Sequence, residues 1–458
     1  MNQNWNDLVI KYFYKKEKEF IKIGSTSITK HEIYERIIHF SYVLQENIIR
    51  KRSFIYLTLP SDISFIIAFF GILCSGNIPI LCKPNEDIKD SLEGSLKISI
   101  DKNESDFFYD KNFIFYVKNS ELPHVKNSTS KSDFFIYTSG SIQKPRCIGI
   151  TFQNVCYTLH LHLKKIIYKS GTTLSVLPYF HIFGLVLDLF LSLEFQNSIL
   201  INSTKGKEID FLTGLLGNIE NVYLCGVPKT FEGLIEKNLL SQIKKCSAGI
   251  IGGASISSSL ANSLCGSNFY VGYGQTEASP GILLGDRGEF WEAYLGKDIG
   301  VSIAISDEGT LLFKGENAFI EYMESGEIIK LKPHRWVDSG DLVSVVGGRY
   351  FYRGRKGYSF KLSNGRWVVP EEVERDMLKK TGEFKEFFIA ERIGGGVELF
   401  VHSNDKSCFE LLKKSLPDYL VNEKISTQTV FLWSKDRKGN LDRQKMKHEV
   451  LQTNRGSV

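Results

Sequence analysis

The first stretch of the sequence, MNQNWNDLVIKYFYKKEK, contains no apolar core of the kind a signal peptide needs. It also has no apolar run long enough to cross a bilayer. The longest, FIIAFFGILC at 65–74, is far short of the ~20 residues a spanning helix requires. CxxC and HExxH are both absent, so the 8 cysteines and 9 histidines offer no zinc-binding spacing. Several cysteines lie inside apolar runs and read as reduced, buried thiols rather than a disulfide frame. Internal repeats, heptad runs and low-complexity segments are lacking as well. The net charge is only +5 over 458 residues, too thin to argue for nucleic acid. The expectation these absences leave is a cytoplasmic globular protein, with no nucleic-acid partner and no membrane insertion.

What is present is alternation. Thr29-Lys30-His31-Glu32 is a capping-box pattern, and Ile33, Ile37, Phe40 and Leu44 follow at helical spacing. A strand is predicted over 54–59, a buried helix over 62–74 stopped by Gly76, and a strand over 78–82. Another strand ends at Tyr137, and Thr151 caps a helix with Phe152, Val155, Leu159, Leu163 and Ile166 on one face. Further strands are predicted over 173–177, 198–201, 221–225 and 248–251. Such a series predicts doubly wound α/β layers, with ligands at the carboxyl ends of the strands. After about residue 290 hairpins take over, at 301–314 and 343–352, and the Gly-, Lys- and Arg-rich stretch 353–357 reads as a linker. The predicted fold is a large N-terminal α/β domain with a β-rich subdomain, residues 1–353, followed by a small mobile α+β domain, residues 354–458.

The stretch YTSGSIQKPR, 137–146, follows a strand and packs Thr138, Ser139, Gly140 and Ser141 into one turn. Bare backbone N–H groups and hydroxyls in such a turn suit phosphate oxygens, and Arg146 adds charge of the right sign. Taken alone it is equally an ordinary polar loop. Other loops at predicted strand ends are LPYFH (177–181) and GGAS (252–255).

With LPYFHIFGL (177–185), GVP (226–228), GYGQTEAS (272–279), WVDSGDL (336–342), GRKGYSFKLSNGRWVVPEEVE (354–374) and KGNLDR (438–443), these motifs occur in the order of the adenylate-forming superfamily, which the chain resembles over nearly its whole length. That superfamily includes acyl- and aryl-CoA synthetases, peptide synthetase adenylation domains and firefly luciferase.

The resemblance implies ATP- and Mg²⁺-dependent activation of a small carboxylic acid to an acyl-adenylate. Transfer to a phosphopantetheine thiol of CoA or a carrier protein would follow. It implies that Thr138, Ser139, Gly140, Ser141 and Arg146 hold phosphates, that Glu277 holds Mg²⁺, and that Thr276 bonds the phosphate. Tyr273 and Gly274, with Gly252, Gly253 and Ala254, would meet the adenine. Asp341 would accept from the ribose hydroxyls, and Arg355 would meet the ribose and phosphate side. His181, Gly226, Val227 and Gly272 would wall the acid pocket, and Lys361 would serve the thioester step.

Three positions depart from the family pattern. The phosphate loop lacks a second Gly. The hinge position two residues after Arg355 carries Gly357 instead of Asp or Lys. The late loop carries Asn440 where the family places a Lys, so Lys438 is the residue expected to replace it. These departures keep open a second reading, a degenerate homologue that binds nucleotide or adenylate without turnover. Transfer to an amine and a luciferase-like oxidation stay open too.

Overall fold

The computed structural model of the protein describes residues 4–14, 20–48, 52–84, 95–99, 106–109, 115–117, 128–138, 146–202, 207–382, 386–392, 395–403, 406–421 and 425–429, with Leu441, Arg443 and Met446. Two compact units divide the chain. The first is built on 1–140, 144–302 and 314–336, the second on 303–313 and 337–458.

In the first unit, the caps legible in the sequence start the helices. The Thr29 hydroxyl accepts from the Glu32 N–H at 3.2 Å, and the Glu32 carboxylate accepts from the Thr29 N–H at 2.8 Å, opening the helix Lys30–Asn47. Thr151 and Asn154 do the same for Phe152–Lys165, at 3.1 and 2.9 Å. The helix Ile63–Cys74, capped by Asp62, is apolar on every side, as its sequence demands, and such a helix must be enclosed. Phe65, Phe69 and Phe70 are fully buried, and Phe69 meets Trp5, Phe134 and Phe190 through ring contacts of 5.4–6.4 Å.

Two sheets frame this core. In one, Val222–Tyr223, Thr172–Ser175, Ser198–Ile201 and Phe20–Ile23 run parallel in that spatial order, and Thr26–Thr29 adds an antiparallel edge. In the other, Phe134–Tyr137, Ile78–Leu81, Phe54–Thr58, Leu96–Ser99 and Phe107–Tyr109 form the parallel centre. Its antiparallel flanks are Phe115–Val117 on one side and Cys147–Ile150, Glu321–Glu324 and Glu327–Lys330 on the other. The strands Gly249–Gly252 and Phe269–Tyr273 are also parallel.

In the second unit a long hairpin joins Val337–Val346 to Arg349–Arg355. Residues 353–357, expected as a linker, are therefore strand as far as Arg355, followed by one 3-10 turn, Lys356–Tyr358. The cross-strand ladder and the Arg353–Glu372 ion pair at 2.7 Å explain the difference: this basic run is held by backbone pairing and ion pairs while its side chains stay partly exposed. Beyond it, helices Pro370–Thr381 and Lys406–Ser415 accompany a sheet of Phe387–Glu391, Val397–Val401 and Ile425–Thr429. Val368, Met377, Leu399 and Leu412 lie at the heart of its core.

Candidate active site

Four motif loops leave the carboxyl ends of four neighbouring strands. Thr172–Ser175 lies beside Val222–Tyr223. Isolated parallel bridges, Tyr223 to Ala248 and Gly226 to Ile251, then link that strand to Gly249–Gly252, which pairs in turn with Phe269–Tyr273. LPYFH, GVP, GGAS and GYGQTE thus emerge side by side, at the end of an open α/β sheet where ligands bind. His181, Gly226, Val227, Gly252, Gly253, Ala254, Gly272, Tyr273, Gly274, Thr276 and Glu277 are all placed on this rim.

Gly252 and Gly272 are register partners. A Cβ on Gly252 would lie 2.4 Å from the Gly272 carbonyl oxygen, and one on Gly272 would lie 2.6 Å from Cγ2 of Ile250. These glycines therefore serve the close packing of the protein's own strands before they serve any ligand. Gly274 is tighter still: a Cβ there would sit 1.2 Å from the Pro280 carbonyl oxygen. That contact folds the chain after Tyr273 back on itself and presents Thr276–Ala278 as a 3-10 turn, with Thr276 and Glu277 half-buried.

His181 is half-buried, its N–H donating to the Pro178 carbonyl at 3.1 Å and its ring 4.8 Å from that of Phe180. Tyr179, in contrast, is core, fully enclosed. Its hydroxyl meets the Ser175 hydroxyl at 2.8 Å, and Ser175 donates to Asp188 at 2.5 Å. Asp188 lies in a π-helical segment, Phe183–Phe190, with 0% of its surface exposed. Burial pushes its carboxyl up to about 7, against the hydrogen bonds from Ser175 and from the Leu177 backbone. A carboxyl so placed holds the loop that carries His181 and is walled off from any ammonium group.

At the phosphate loop, the described ends form a neck. The Thr138 N–H donates to the Arg146 carbonyl at 2.8 Å, and the Arg146 N–H donates to the Thr138 hydroxyl at 3.0 Å. The Arg146 guanidinium lies 5.6 Å from the ring centroid of Tyr322, a cation–π distance. Ser139, Gly140 and Ser141 within the loop, and Lys438 and Asn440 near the C-terminus, lie outside the described residues.

In the second unit, Asp341 and Arg355 are register partners in the hairpin. Arg355 Nε lies 2.6 Å from Asp341 Oδ1, and Asp341 is 4% exposed. The Arg355 N–H also donates to Glu371 at 3.3 Å. Lys361 is exposed on the short strand Phe360–Lys361, opposite Trp367. Gly357 lies exposed within its 3-10 turn, outside the positive-φ glycines, so the turn itself does not demand glycine.

Sequence reasoning missed two groups. Arg443, the last residue of KGNLDR, is 9% exposed, pairs with Glu374 and donates to the Ile389 carbonyl at 3.1 Å. Burial works against its charge, but Glu374 and Glu371 outweigh it and keep the guanidinium protonated. Asn317 is fully buried and reaches the turn after Glu277. Arg443 closes the KGNLDR motif, in which the resemblance singles out Lys438 and Asn440 alone, and Asn317 has no short signature; both act through partners distant in the chain.

Among the described residues no three His, Cys, Asp or Glu side chains gather to hold a metal ion, and no helix is long and apolar enough to cross a membrane.

Comparison with known proteins agrees with this geometry. A family model described as an AMP-binding enzyme matches residues 82–328, more than half of the chain. A feruloyl-CoA synthase of an Amycolatopsis species is 23% identical over 270 residues, covering 54% of this chain and 54% of that protein. The chain thus spans about half the length of the curated relatives it matches. The fold is similar to that of an ATP-bound MatB from Rhodopseudomonas palustris, with a TM-score of 0.76 at 15% identity over 98% of this chain and 99% of the other. A benzoate CoA ligase from Burkholderia xenovorans gives 0.75 at 18% identity, over 97% and 99%.

Proposed function

We propose that this chain, which belongs to the AMP-binding enzyme family, uses ATP to convert a carboxylic acid to an acyl-adenylate and then to a thioester. In the first step a carboxylate oxygen attacks the α-phosphorus and pyrophosphate leaves. In the second, the thiol of a phosphopantetheine, on CoA or on a carrier protein, attacks the acyl carbon and AMP leaves. The observation that carries this reading is the row of four motif loops on adjacent parallel strand ends. The feruloyl-CoA synthase and benzoate CoA ligase similarities support an acyl or aryl acid.

In this reading Tyr273, Gly274 and the segment Gly252-Gly253-Ala254 receive the adenine. Asp341 accepts from the ribose hydroxyls with Arg355 holding it, and Thr276 bonds phosphate. His181, Gly226, Val227 and Gly272 border the acid. Mg²⁺ binds through one or two carboxylates and takes its other ligands from phosphates and water, a demand that a single Glu277 carboxylate meets. Glu277 would hold it, and the ion would offset charge on the phosphates. Lys361 serves thioester formation, Lys438 stands in for the Lys absent at Asn440, and residues 354–458 move as the C-terminal domain. A cytoplasmic location, without nucleic acid, belongs to the same proposal. Asn440 favours the second reading, a nucleotide-binding homologue without turnover.

Pyrophosphate release across a panel of aryl and aliphatic acids tests the proposal. Release with at least one acid, lost in Glu277→Gln, is expected. ATP binding with no release for any acid would establish the second reading instead.

A further inference from the structure

Asn317 is fully buried between the turn that carries Glu277 and the N-terminus of the helix Phe152–Lys165. Its side-chain amide donates to the Ala278 carbonyl at 3.2 Å and to the Gly281 carbonyl at 2.6 Å. Two residues on, the Phe319 N–H donates to the Glu277 carbonyl itself, at 3.0 Å. The same segment is held from behind. Asn154 donates to the Glu316 carbonyl at 2.5 Å and to the Ala318 carbonyl at 3.3 Å, and Arg335 donates to the Phe319 carbonyl at 2.8 Å. Asn154 is the third residue of a helix whose cap, Thr151, directly follows the strand Cys147–Ile150 leaving the phosphate loop.

Two asparagines therefore join the phosphate-loop strand to the turn bearing Glu277, through hydrogen bonds whose donors are both enclosed. Asn317 Oδ1 has no hydrogen-bond partner among the described residues. Leaving such an acceptor buried costs about 1–3 kcal/mol. An apolar side chain of similar size would remove that cost but leave the Ala278 and Gly281 carbonyls without this donor. The amide therefore holds 278–281 in one place at the cost of a single unmatched acceptor.

We infer that Asn317 is a positioning residue: it fixes the turn that carries Glu277, with Asn154 bracing it, at a set place relative to the strand Cys147–Ile150, so that the Glu277 side chain is poised for the Mg²⁺ of Mg·ATP. The inference rests on the proposed role of Glu277. Partners behind a metal ligand are typically worth about 10–100-fold in metal affinity.

The test is calorimetric ATP binding to the full chain, with and without Mg²⁺, for the wild type, Asn317→Ala, Asn154→Asp and Glu277→Gln. Asn154→Asp keeps the acceptor of the capping box and turns the donor to 316 and 318 into an acceptor that repels their carbonyls. Mg²⁺ is expected to tighten ATP binding to the wild type. In Asn317→Ala that tightening should shrink by about tenfold, and Asn154→Asp should also reduce it, in each case by more than any change in Mg²⁺-free affinity, to which Thr276 on the same turn contributes. Hydrogen exchange of the 276–282 amides should speed up in parallel, and the acid KM for pyrophosphate release should hold while the Mg²⁺ midpoint rises. If Glu277→Gln loses the tightening and Asn317→Ala keeps it, the inference is overturned and the function stands. If Glu277→Gln also keeps it, the assignment of Glu277 fails and the inference fails with it. Should Asn317→Ala not fold, unchanged tightening in Asn154→Asp overturns the inference.

Discussion

Asp341 and Arg355 face each other across one hairpin, with Nε 2.6 Å from Oδ1. Both arms of the hairpin, Val337–Val346 and Arg349–Arg355, carry a motif residue. The acceptor proposed for the ribose is therefore oriented by the very Arg that would otherwise be assigned an independent contact. A carboxylate gripped on one oxygen has a defined rotamer, so the entropy cost of ordering it is met before a ligand arrives.

This pairing predicts non-additivity. Asp341→Asn should weaken ATP binding by about tenfold, the loss of one charge-assisted hydrogen bond. Arg355→Gln should weaken it comparably, and the double variant should be no weaker than Asp341→Asn alone. Fully additive losses, measured by calorimetry, would show that Arg355 acts on the nucleotide independently of Asp341.

A second prediction concerns Gly274. A methyl group placed 1.2 Å from the Pro280 carbonyl oxygen cannot be accommodated without moving the turn. Gly274→Ala should lower stability by about 1–3 kcal/mol, as overpacking does, and should lower acid-dependent pyrophosphate release as Glu277 moves with the turn. Gly214→Ala is the control, because nothing lies within 4 Å of a Cβ there. Its thermal midpoint should match or exceed that of the wild type. A Gly274→Ala protein with wild-type midpoint and rate would refute the close approach.

The third prediction is a pH dependence. Asp188, raised to about 7 by burial, holds a proton in the folded state that the unfolded chain releases near its ordinary value of ~4. Between these two pH values the folded state binds more protons, so the contribution of Asp188 to stability falls as pH rises through this window. It is fully present below about 4 and lost above about 7. His162, buried and lowered to about 4, works in the opposite sense, so only the difference between variant and wild type is diagnostic. Asp188→Asn should gain stability relative to the wild type as pH is raised from 5 to 8 in denaturant titrations. A difference independent of pH would mean that Asp188 does not titrate there.

A fourth prediction follows from Lys438 and Asn440. If Lys438 supplies the missing charge, Lys438→Ala should slow adenylation by about 10²–10³, the usual cost of losing a positioned charge donor, and Asn440→Lys should change little. Full pyrophosphate release by Lys438→Ala would remove it from the chemistry.

Much of the architecture was legible because local signals agreed. Thr29 with Glu32, and Thr151 with Asn154, cap the helices that their patterns announce, and the apolar runs at 54–59, 78–82 and 134–137 are strands. Motif order gave the rim of the site for the same reason: each loop directly follows its strand. What escaped was partnership across the chain. Glu321–Glu324 sits beside Cys147–Ile150, a neighbour only the tertiary fold supplies. Asp341 and Arg355 became a pair through hairpin register, which the sequence hides because 353–357 is rich in linker-like residues. A single Asn in GENAF is statistically silent, yet Asn317 reaches two carbonyls.

The register match of Gly252 with Gly272 also bears on how such a protein can diversify. The space a side chain would need at these positions is already taken by a neighbouring strand's carbonyl oxygen or by Ile250. Larger side chains at the floor of the rim are thereby excluded, and room for substitution is left at the loop tips, where Val227, Ala254 and Gln275 remain partly accessible. A lineage built on this scaffold would change its ligands by rewriting the edges of the cleft while its base stayed frozen.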